Sequence, residues 1–295
     1  MKSYFCFNRI FAVVIVLVAM ATIFFACSKN NEANPTTDEN DNKALAAASY
    51  EAQVSTLYDD LFDVALQGGQ SENLNSEARI APQDRTNSKL GTCWVGTLDD
   101  ATPGKWPKKL TMDFSAYNKP CVGADGRVRA GKVILSISNY ILLTGSTVTI
   151  TLENYSVNGI KLEGTKVITN LSSGNGFKYS TTVTGGKLKL DSLTFGYTCS
   201  KTITQTEGQA TPLNTNDDFY SGTGTATLTY PAGTTVTYTV KEPLVKELAC
   251  PWIGKGKAEV TFDQITATID YGAGICDDTA TISIGDKVKG VILPK

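Results

Sequence analysis

Residues 153–164, ENYSVNGIKLEG, contain the strongest hairpin signal in the chain. Asn158-Gly159 separates two runs in which apolar and polar residues alternate. Asn-Gly is the preferred pair in the two-residue turns that join antiparallel strands, because both positions need a positive φ. This stretch therefore predicts antiparallel sheet.

The same pattern recurs on both sides of this hairpin. TVTITL (147–152) places Val148, Ile150 and Leu152 on one face and threonines on the other, which is typical of a half-buried strand. Turn residues interrupt three further alternating runs: Gly185-Gly186 in TTVTGGKLKL (181–190), Pro231-Ala232-Gly233 in ATLTYPAGTTVTYTV (226–240) and Gly285-Asp286 in ATISIGDKVKGVIL (280–293).

Residues 91–295 are therefore predicted to form one β domain, since nothing there has convincing helical periodicity. The predicted fold class is all-β, with antiparallel strands and hairpins forming a sandwich or an elongated twisted sheet.

One amphipathic helix is predicted over 44–69, followed by a polar linker over 70–90. Asp41 or Asn42 could cap the start of this helix, and Gly68-Gly69 would end it. The helix could pack on the β domain or dimerise through its apolar stripe. That stripe follows three- and four-residue spacing: Tyr50, Val54, Leu57, Tyr58, Leu61, Phe62 and Ala65.

The N-terminus has the pattern of an export signal. Lys2 and Arg9 precede an uncharged apolar run, Ile10–Ala26, which is short for a membrane span. Phe24-Phe25-Ala26-Cys27 resembles a bacterial lipobox, so we expect a signal peptide over 1–26 and acylation of Cys27. Acyl chains would then anchor the protein to membrane lipid. The alternative is an uncleaved signal anchor.

Residues 27–43 are polar and are predicted to form a flexible tether. Loss of the signal peptide removes Lys2 and Arg9 from the 27 basic residues, so that 25 remain against 29 acidic residues. This mild negative balance gives no indication of a nucleic-acid partner.

The chain contains no histidine, the commonest general base and metal ligand. We therefore expect no cofactor, no metal site and no catalytic residues. A P-loop-like GRVRAGKV (126–133) lacks the required Ser or Thr, and it leads into a strand, so a tight turn is the preferred interpretation. Asn214, Asn216 and Asp218 begin like a calcium loop but lack its later residues.

Besides Cys6 in the signal peptide and Cys27, the chain has five cysteines, which could form disulfides in an oxidising compartment. These are Cys93, Cys121, Cys199, Cys250 and Cys276. A weak internal repeat, at an offset near 156 residues, relates LTMDFSAYNKPC to ATIDYGAGIC. The repeat favours two pseudo-repeated halves. It also favours the disulfides Cys93–Cys121 and Cys250–Cys276, each closing a hairpin, with Cys199 buried on a strand. A zinc site is the alternative.

Two side-chain types suggest carbohydrate chemistry. Asp277-Asp278 could pair with Asp270 or Asp113 as glycosidase carboxylates, although aspartates beside turns usually bond their own backbone. Trp94, Trp106 and Trp252 could stack on sugars. Trp106 is the candidate glycan contact, because the other two lie beside the predicted disulfides.

DFSAYNKPCVGADGRVRAGKVIL, ENYSVNGIKLEGT and DYGAGICDD together resemble segments of an uncharacterised family of Bacteroidetes β-rich lipoproteins, over about residues 90–295. The resemblance implies an all-β, lipid-anchored envelope protein, and it implies no activity.

We therefore expect an outer-membrane lipoprotein, with its β domain in the periplasm or at the cell surface. Its role would be non-catalytic: structural, adhesive or ligand-holding, with a glycan or an envelope protein as partner. The alternatives are a glycan-binding accessory of polysaccharide uptake, a glycosidase-like enzyme, and a fimbrial subunit processed at Arg79 or Arg85.

Overall fold

The computed structural model describes residues 35–75 and 90–293, apart from 118, 120, 175, 191, 211–216, 248–249 and 251. The chain divides into two compact units, Met1–Asp38 and Glu39–Lys295. Only residues 35–38, the start of a helix, are described in the first unit. The second unit contains the rest of that helix and all the strands.

The helix α1 (Pro35–Ser71) precedes fourteen strands. In chain order these are β1 (Val95–Leu98), β2 (Lys108–Asp113), β3 (Cys121–Val122), β4 (Val128–Ile137), β5 (Thr147–Val157), β6 (Ile160–Asn170), β7 (Lys178–Leu190), β8 (Leu193–Glu207), β9 (Phe219–Thr229), β10 (Thr235–Glu247), β11 (Lys255–Phe262), β12 (Ile265–Ala273), β13 (Thr279–Ile284) and β14 (Lys287–Ile292).

All strands join a single antiparallel sheet in which neighbours in sequence are neighbours in space. The order runs from β1 to β14, and β3 alone lies off this path as a partner of β4. The all-β prediction is confirmed, and of the two predicted architectures the structure shows one sheet rather than a sandwich. In the described part of the chain, β1 and β14 are the two end strands.

Three of the predicted turns are confirmed. Asn158-Gly159 joins β5 to β6 with φ of 50° and 81°, Gly285-Asp286 joins β13 to β14, and Pro231–Gly233 lies between β9 and β10. Local turn chemistry therefore located these hairpins correctly.

The predicted turn at Gly185-Gly186 is wrong, because both residues lie inside β7. The register between β7 and β8 shifts between Val183 and Gly186, so the glycines form a bulge. They allow a close approach of strands: a Cβ on Gly164 of β6, where φ is 113°, would lie 2.7 Å from Gly186 Cα. Glycine in a strand marks such an approach as readily as a turn.

Register shifts of the same kind interrupt most of the long strand pairs. They occur between β4 and β5, β5 and β6, β6 and β7, β9 and β10, and β10 and β11. Each bulge bends its strand and increases the local twist. The sheet is therefore twisted and bent across its middle strands.

The helix packs on one face of the sheet, here called the inner face. The predicted apolar stripe is confirmed, since Val54, Leu61 and Ala65 are buried. Aromatic pairs join the two layers, with ring centroids 5.0 Å apart for Tyr50–Phe195, 4.8 Å for Tyr58–Tyr197 and 5.3 Å for Phe62–Tyr179. Packing on the sheet, rather than dimerisation, accounts for the stripe.

Both ends of the helix differ from the prediction. The helix starts at Pro35, inside the segment predicted as a tether, and continues through Gly68-Gly69 to Ser71. Proline is well suited to a first helical position, because it has no N–H to satisfy. Gly68 and Gly69 pack closely against the sheet layer, since a Cβ would meet the ends of the Met112 and Ile141 side chains respectively, which would then have to move.

Residues 72–75 follow the helix and also pack on the inner face of the sheet. Leu74 is buried, and its carbonyl accepts a hydrogen bond from Ile141 N at 2.9 Å. The remainder of the predicted linker, residues 76–89, lies outside the described residues. No helix in the described ranges has the length and apolar character needed to cross a membrane.

Gly186→Ala should destabilise the fold by about 1–3 kcal/mol, because the new Cβ would lie 2.6 Å from Tyr197 O and 2.9 Å from Tyr58 Oη. Denaturant unfolding measures this change. Gly290→Ala is the matched strand control: its Cβ would meet nothing within 4 Å, so its effect should stay within about 0.5 kcal/mol. Equal losses in both variants would contradict the packing of Tyr58 over Gly186.

Candidate functional site

The two predicted disulfides are present. Cys93–Cys121 has a Cα–Cα distance of 5.2 Å and Cys250–Cys276 one of 5.8 Å. The first encloses the β1–β2 hairpin and the second the β11–β12 hairpin. The internal repeat therefore corresponds to a disulfide-closed hairpin that occurs twice in one continuous sheet.

Cys199 is buried in β8, as predicted. Burial raises the pKa of its thiol, which keeps it protonated and unreactive at neutral pH. Cys27, the predicted acylation site, lies outside the described residues.

The two loop motifs have structural roles. Residues 128–133 of the P-loop-like stretch belong to β4, and Arg127 N donates to Asp125 Oδ1 across the preceding turn at 3.0 Å. Asp218 is buried, and its carboxylate accepts hydrogen bonds from Gln205 Nε2 at 2.8 Å and from Tyr220 Oη at 3.2 Å. Asn214 and Asn216 lie outside the described residues.

Three of the four candidate glycosidase carboxylates accept hydrogen bonds from nearby backbone N–H groups. Asp113, Asp270 and Asp277 each accept from the backbone N–H two residues later, at 2.8, 2.9 and 2.9 Å. The hydrogen bonds from Thr279 lower the pKa of Asp277. Asp113 and Asp277 therefore hold the bends beside them, whereas Asp270 lies within β12.

The three tryptophans differ in exposure. Trp94 is buried, with its ring centroid 6.2 Å from that of Phe114. Trp252 and Trp106 are half-buried. The Trp106 ring meets Tyr140 edge-on at 4.9 Å, and Lys108 Nζ lies 5.6 Å from its centroid.

The densest group of charged side chains lies between α1 and the inner face. Its first part, the arginine cluster, consists of Asp60, Asp125, Arg127 and Arg129. Arg129 is 1% exposed, and its Nη2 and Nε contact Asp60 Oδ1 and Oδ2 at 2.8 and 3.2 Å. Arg127 also donates to Asp60, and Arg129 Nη2 donates to Asp125 Oδ2 at 2.6 Å.

The arginine cluster is balanced, with two guanidinium groups against two carboxylates. Burial opposes ionisation of Asp125, but the hydrogen bonds and charge of Arg129 outweigh it and lower the pKa of this carboxyl. Burial likewise disfavours the Arg129 cation, and Asp125 and Asp60 more than offset that effect. A planar guanidinium matches the two oxygens of a carboxylate. The contact between Asp60 and Arg129 therefore also fixes the position of the helix along the sheet.

The second part, the lysine cluster, consists of Glu51, Ser55 and Asp59 of α1 with Lys166 and Lys201 of the sheet. Lys201 Nζ lies 2.6 Å from Ser55 Oγ and 2.8 Å from Asp59 Oδ2. Lys166 Nζ donates to the carbonyl oxygen of Tyr58 at 2.8 Å. Burial lowers the pKa of Lys166, and Asp59 partly offsets the effect.

Glu51 is the unbalanced member of the lysine cluster. It is buried, and its Oε1 has no hydrogen-bond partner among the described residues. Burial raises the pKa of Glu51 from 4.5 to about 7, while Lys201 lowers it and Asp59 raises it. Glu51 is therefore partly protonated near neutral pH.

Both clusters hold the helix to the sheet, and sequence reasoning did not single them out. A signal was present for Lys166, which lies in phase with buried Leu162 and Ile168. For Asp60 and Arg129, separated by 69 positions, no local pattern indicates the pairing. No group of three or more His, Cys, Asp or Glu that could hold a metal ion occurs among the described residues.

No protein-family model, curated protein or solved structure matches the chain. Its function has to be inferred from its own residues.

Asp60→Asn should cost about 3–5 kcal/mol of unfolding free energy, because it leaves the two guanidinium groups of Arg127 and Arg129 with the carboxylate of Asp125 alone. Chemical denaturation measures the loss. Glu153→Gln, which removes an exposed carboxylate 3.9 Å from Lys132, should cost less than about 1 kcal/mol. A small effect of Asp60→Asn would show that the helix does not depend on the arginine cluster.

Glu51→Gln should raise stability at pH 8 relative to wild type by roughly 3 kcal/mol and leave it unchanged near pH 4. The folded state holds the Glu51 proton up to about pH 7, whereas the unfolded chain releases it near 4.5. Wild-type stability therefore falls as pH rises through this window.

The difference in unfolding free energy between Glu51→Gln and wild type, measured from pH 4 to 8, isolates this titration. Glu163→Gln, which removes a half-exposed carboxylate, is the matched control for the loss of a carboxylate. A flat difference for Glu51→Gln would contradict the burial of its charge.

Proposed function

We propose that the protein is a lipid-anchored component of the cell envelope whose β domain has a non-catalytic structural, adhesive or ligand-holding role. The observation that carries the non-catalytic part is the placement of the charged clusters. Arg129, Asp60 and Lys166 are buried between helix and sheet, and each bonds a group of the other layer. These groups stabilise the fold rather than face a substrate.

Export is supported by the cysteines. Two disulfides and one buried thiol account for the five cysteines after Cys27, an arrangement typical of proteins outside the reducing cytosol. The lipobox-like Phe24–Cys27 and the preceding apolar run support acylation, and the resemblance to Bacteroidetes lipoproteins supports the outer membrane.

Metabolic labelling with an alkyne analogue of palmitate tests the anchor. Wild type should incorporate label, and Cys27→Ser should lose it and leave the membrane fraction. Cys6→Ser, within the predicted signal peptide, is the matched control and should label like wild type. Persistent labelling of Cys27→Ser would overturn the lipoprotein assignment. Protease treatment of intact cells then distinguishes a surface domain from a periplasmic one.

Glycan binding is the second candidate, and half-buried Trp106 favours it. Tyr140 and Lys108 fix the indole, so its remaining surface could stack on a sugar ring. On a glycan array, Trp106→Ala should abolish any binding signal and Trp106→Phe should retain part of it. Binding that survives Trp106→Ala would exclude this residue as the contact.

A further inference from the structure

Strand β14 ends the sheet and pairs only with β13 among the described residues. An end strand presents backbone N–H and C=O groups on its outer edge, which can pair with another extended chain. The side chains of β14 determine which chains fit there.

The direction of each backbone group follows from the register. Ile284 pairs with Lys287 across the two-residue turn, and hydrogen-bonded and non-bonded pairs then alternate along the strands. Leu293 N donates to Asp278 O at 2.6 Å, which agrees with this alternation. The backbone groups of Val288, Gly290 and Ile292 therefore point to the open edge.

The two faces of β14 have opposite character. Lys289 lies opposite buried Ile282, so it is on the inner face of the sheet. Val288 and Ile292 lie on the outer face and are 68% and 72% exposed. The inner face of β14 therefore carries Lys289 next to half-buried Val291, which lies opposite buried Ala280, whereas the outer face carries exposed aliphatic side chains.

The lysines disfavour pairing with a second copy. In the two antiparallel registers that overlap most of β14, Lys289 of one copy lies directly or diagonally opposite Lys289 of the other. Like charges in these positions are destabilising, and inward-pointing lysines are a known protection of edge strands. An added strand with acidic residues in those positions would instead be attracted.

Gly290 leaves room for a side chain of an added strand, since a Cβ on this residue would meet nothing within 4 Å. A groove of about 410 Å³ adjoins it, lined by residues of β12–β14 that include Gly290 and Ile292, and by Ile275. Ile275 is also largely exposed. A large side chain opposite Gly290 would therefore meet no steric obstacle.

We propose that β14 binds an extended protein segment in which apolar and acidic residues alternate, by adding it to the sheet as a further strand. The apolar residues would contact Val288 and Ile292, and an acidic residue would pair with Lys289. This inference extends the proposed ligand-holding role but does not depend on the lipid anchor, so purified protein tests it separately from acylation.

The probe is a peptide of alternating Val and Glu, capped at both ends and slightly longer than β14. The full chain in mild detergent is titrated with this Val/Glu peptide. Two control peptides are tested in the same way: an alternating Val/Lys peptide, and a peptide with the composition of the Val/Glu peptide in which all Val residues precede all Glu residues. We expect binding of the alternating Val/Glu peptide only. On binding, amide exchange should slow at Val288, Gly290 and Ile292, whose N–H groups face the open edge.

Lys289→Glu should weaken binding of the Val/Glu peptide about five-fold or more and strengthen that of the Val/Lys peptide to a similar extent. Lys189→Glu is the matched control. It makes the same charge change at an exposed lysine of β7, an interior strand, and should alter neither affinity.

Three results would overturn the proposal. The first is equal binding of the Val/Glu and Val/Lys peptides. The second is binding without protection of the three amides. The third is protection of these amides in the free protein together with a dimeric mass, which would show that a second copy occupies the edge.

Discussion

A sheet with an apolar face needs a second layer, and in the described chain α1 packs on that face over β4 and β6–β8. The inner face carries the aromatic rings of Tyr179, Phe195 and Tyr197, and α1 covers them with Tyr50, Tyr58 and Phe62. Burying an aromatic side chain contributes a few kcal/mol, so these contacts account for much of the stability that two layers provide. The rest of the architecture depends on keeping α1 in place.

The buried charges specify the position of the helix more than they add stability. Taking Asp60 and Arg129 out of water costs several kcal/mol per ion, and their fork-like contact largely offsets that cost. An apolar stripe alone tolerates sliding by a turn. The contacts of Asp60 with Arg129 and of Asp59 with Lys201 are both satisfied in only one helix position.

Local sequence signals predicted the local features well. Asn158-Gly159 and Gly285-Asp286 form turns because their φ preferences suit no other arrangement as well, and alternating runs located the strands beside them. The cysteine pairs followed from the internal repeat. Gly185-Gly186 was misread because a bulge and a turn use glycine for the same conformational freedom.

Long-range features were beyond the reach of the sequence pattern. Arg127 and Arg129 were noted only as part of the P-loop-like stretch that was interpreted as a tight turn, since nothing near them indicates that Asp60 is their partner. Gly68-Gly69 was read as a helix end, whereas the side chains that pack closely against these glycines, those of Met112 and Ile141, are distant in sequence. Which side chains of β14 lie on the inner face and which on the outer face could be assigned only from its register with β13.

The meander topology has a consequence for the order in which this protein folds. Each strand after β4 pairs with its sequence neighbours, so a hairpin can form without waiting for distant parts of the chain. The helix is made before every strand that it contacts. As the chain emerges, α1 is therefore available as a template on which β4, β6 and β8 dock in turn, and its exposed apolar stripe is most vulnerable to aggregation before they arrive.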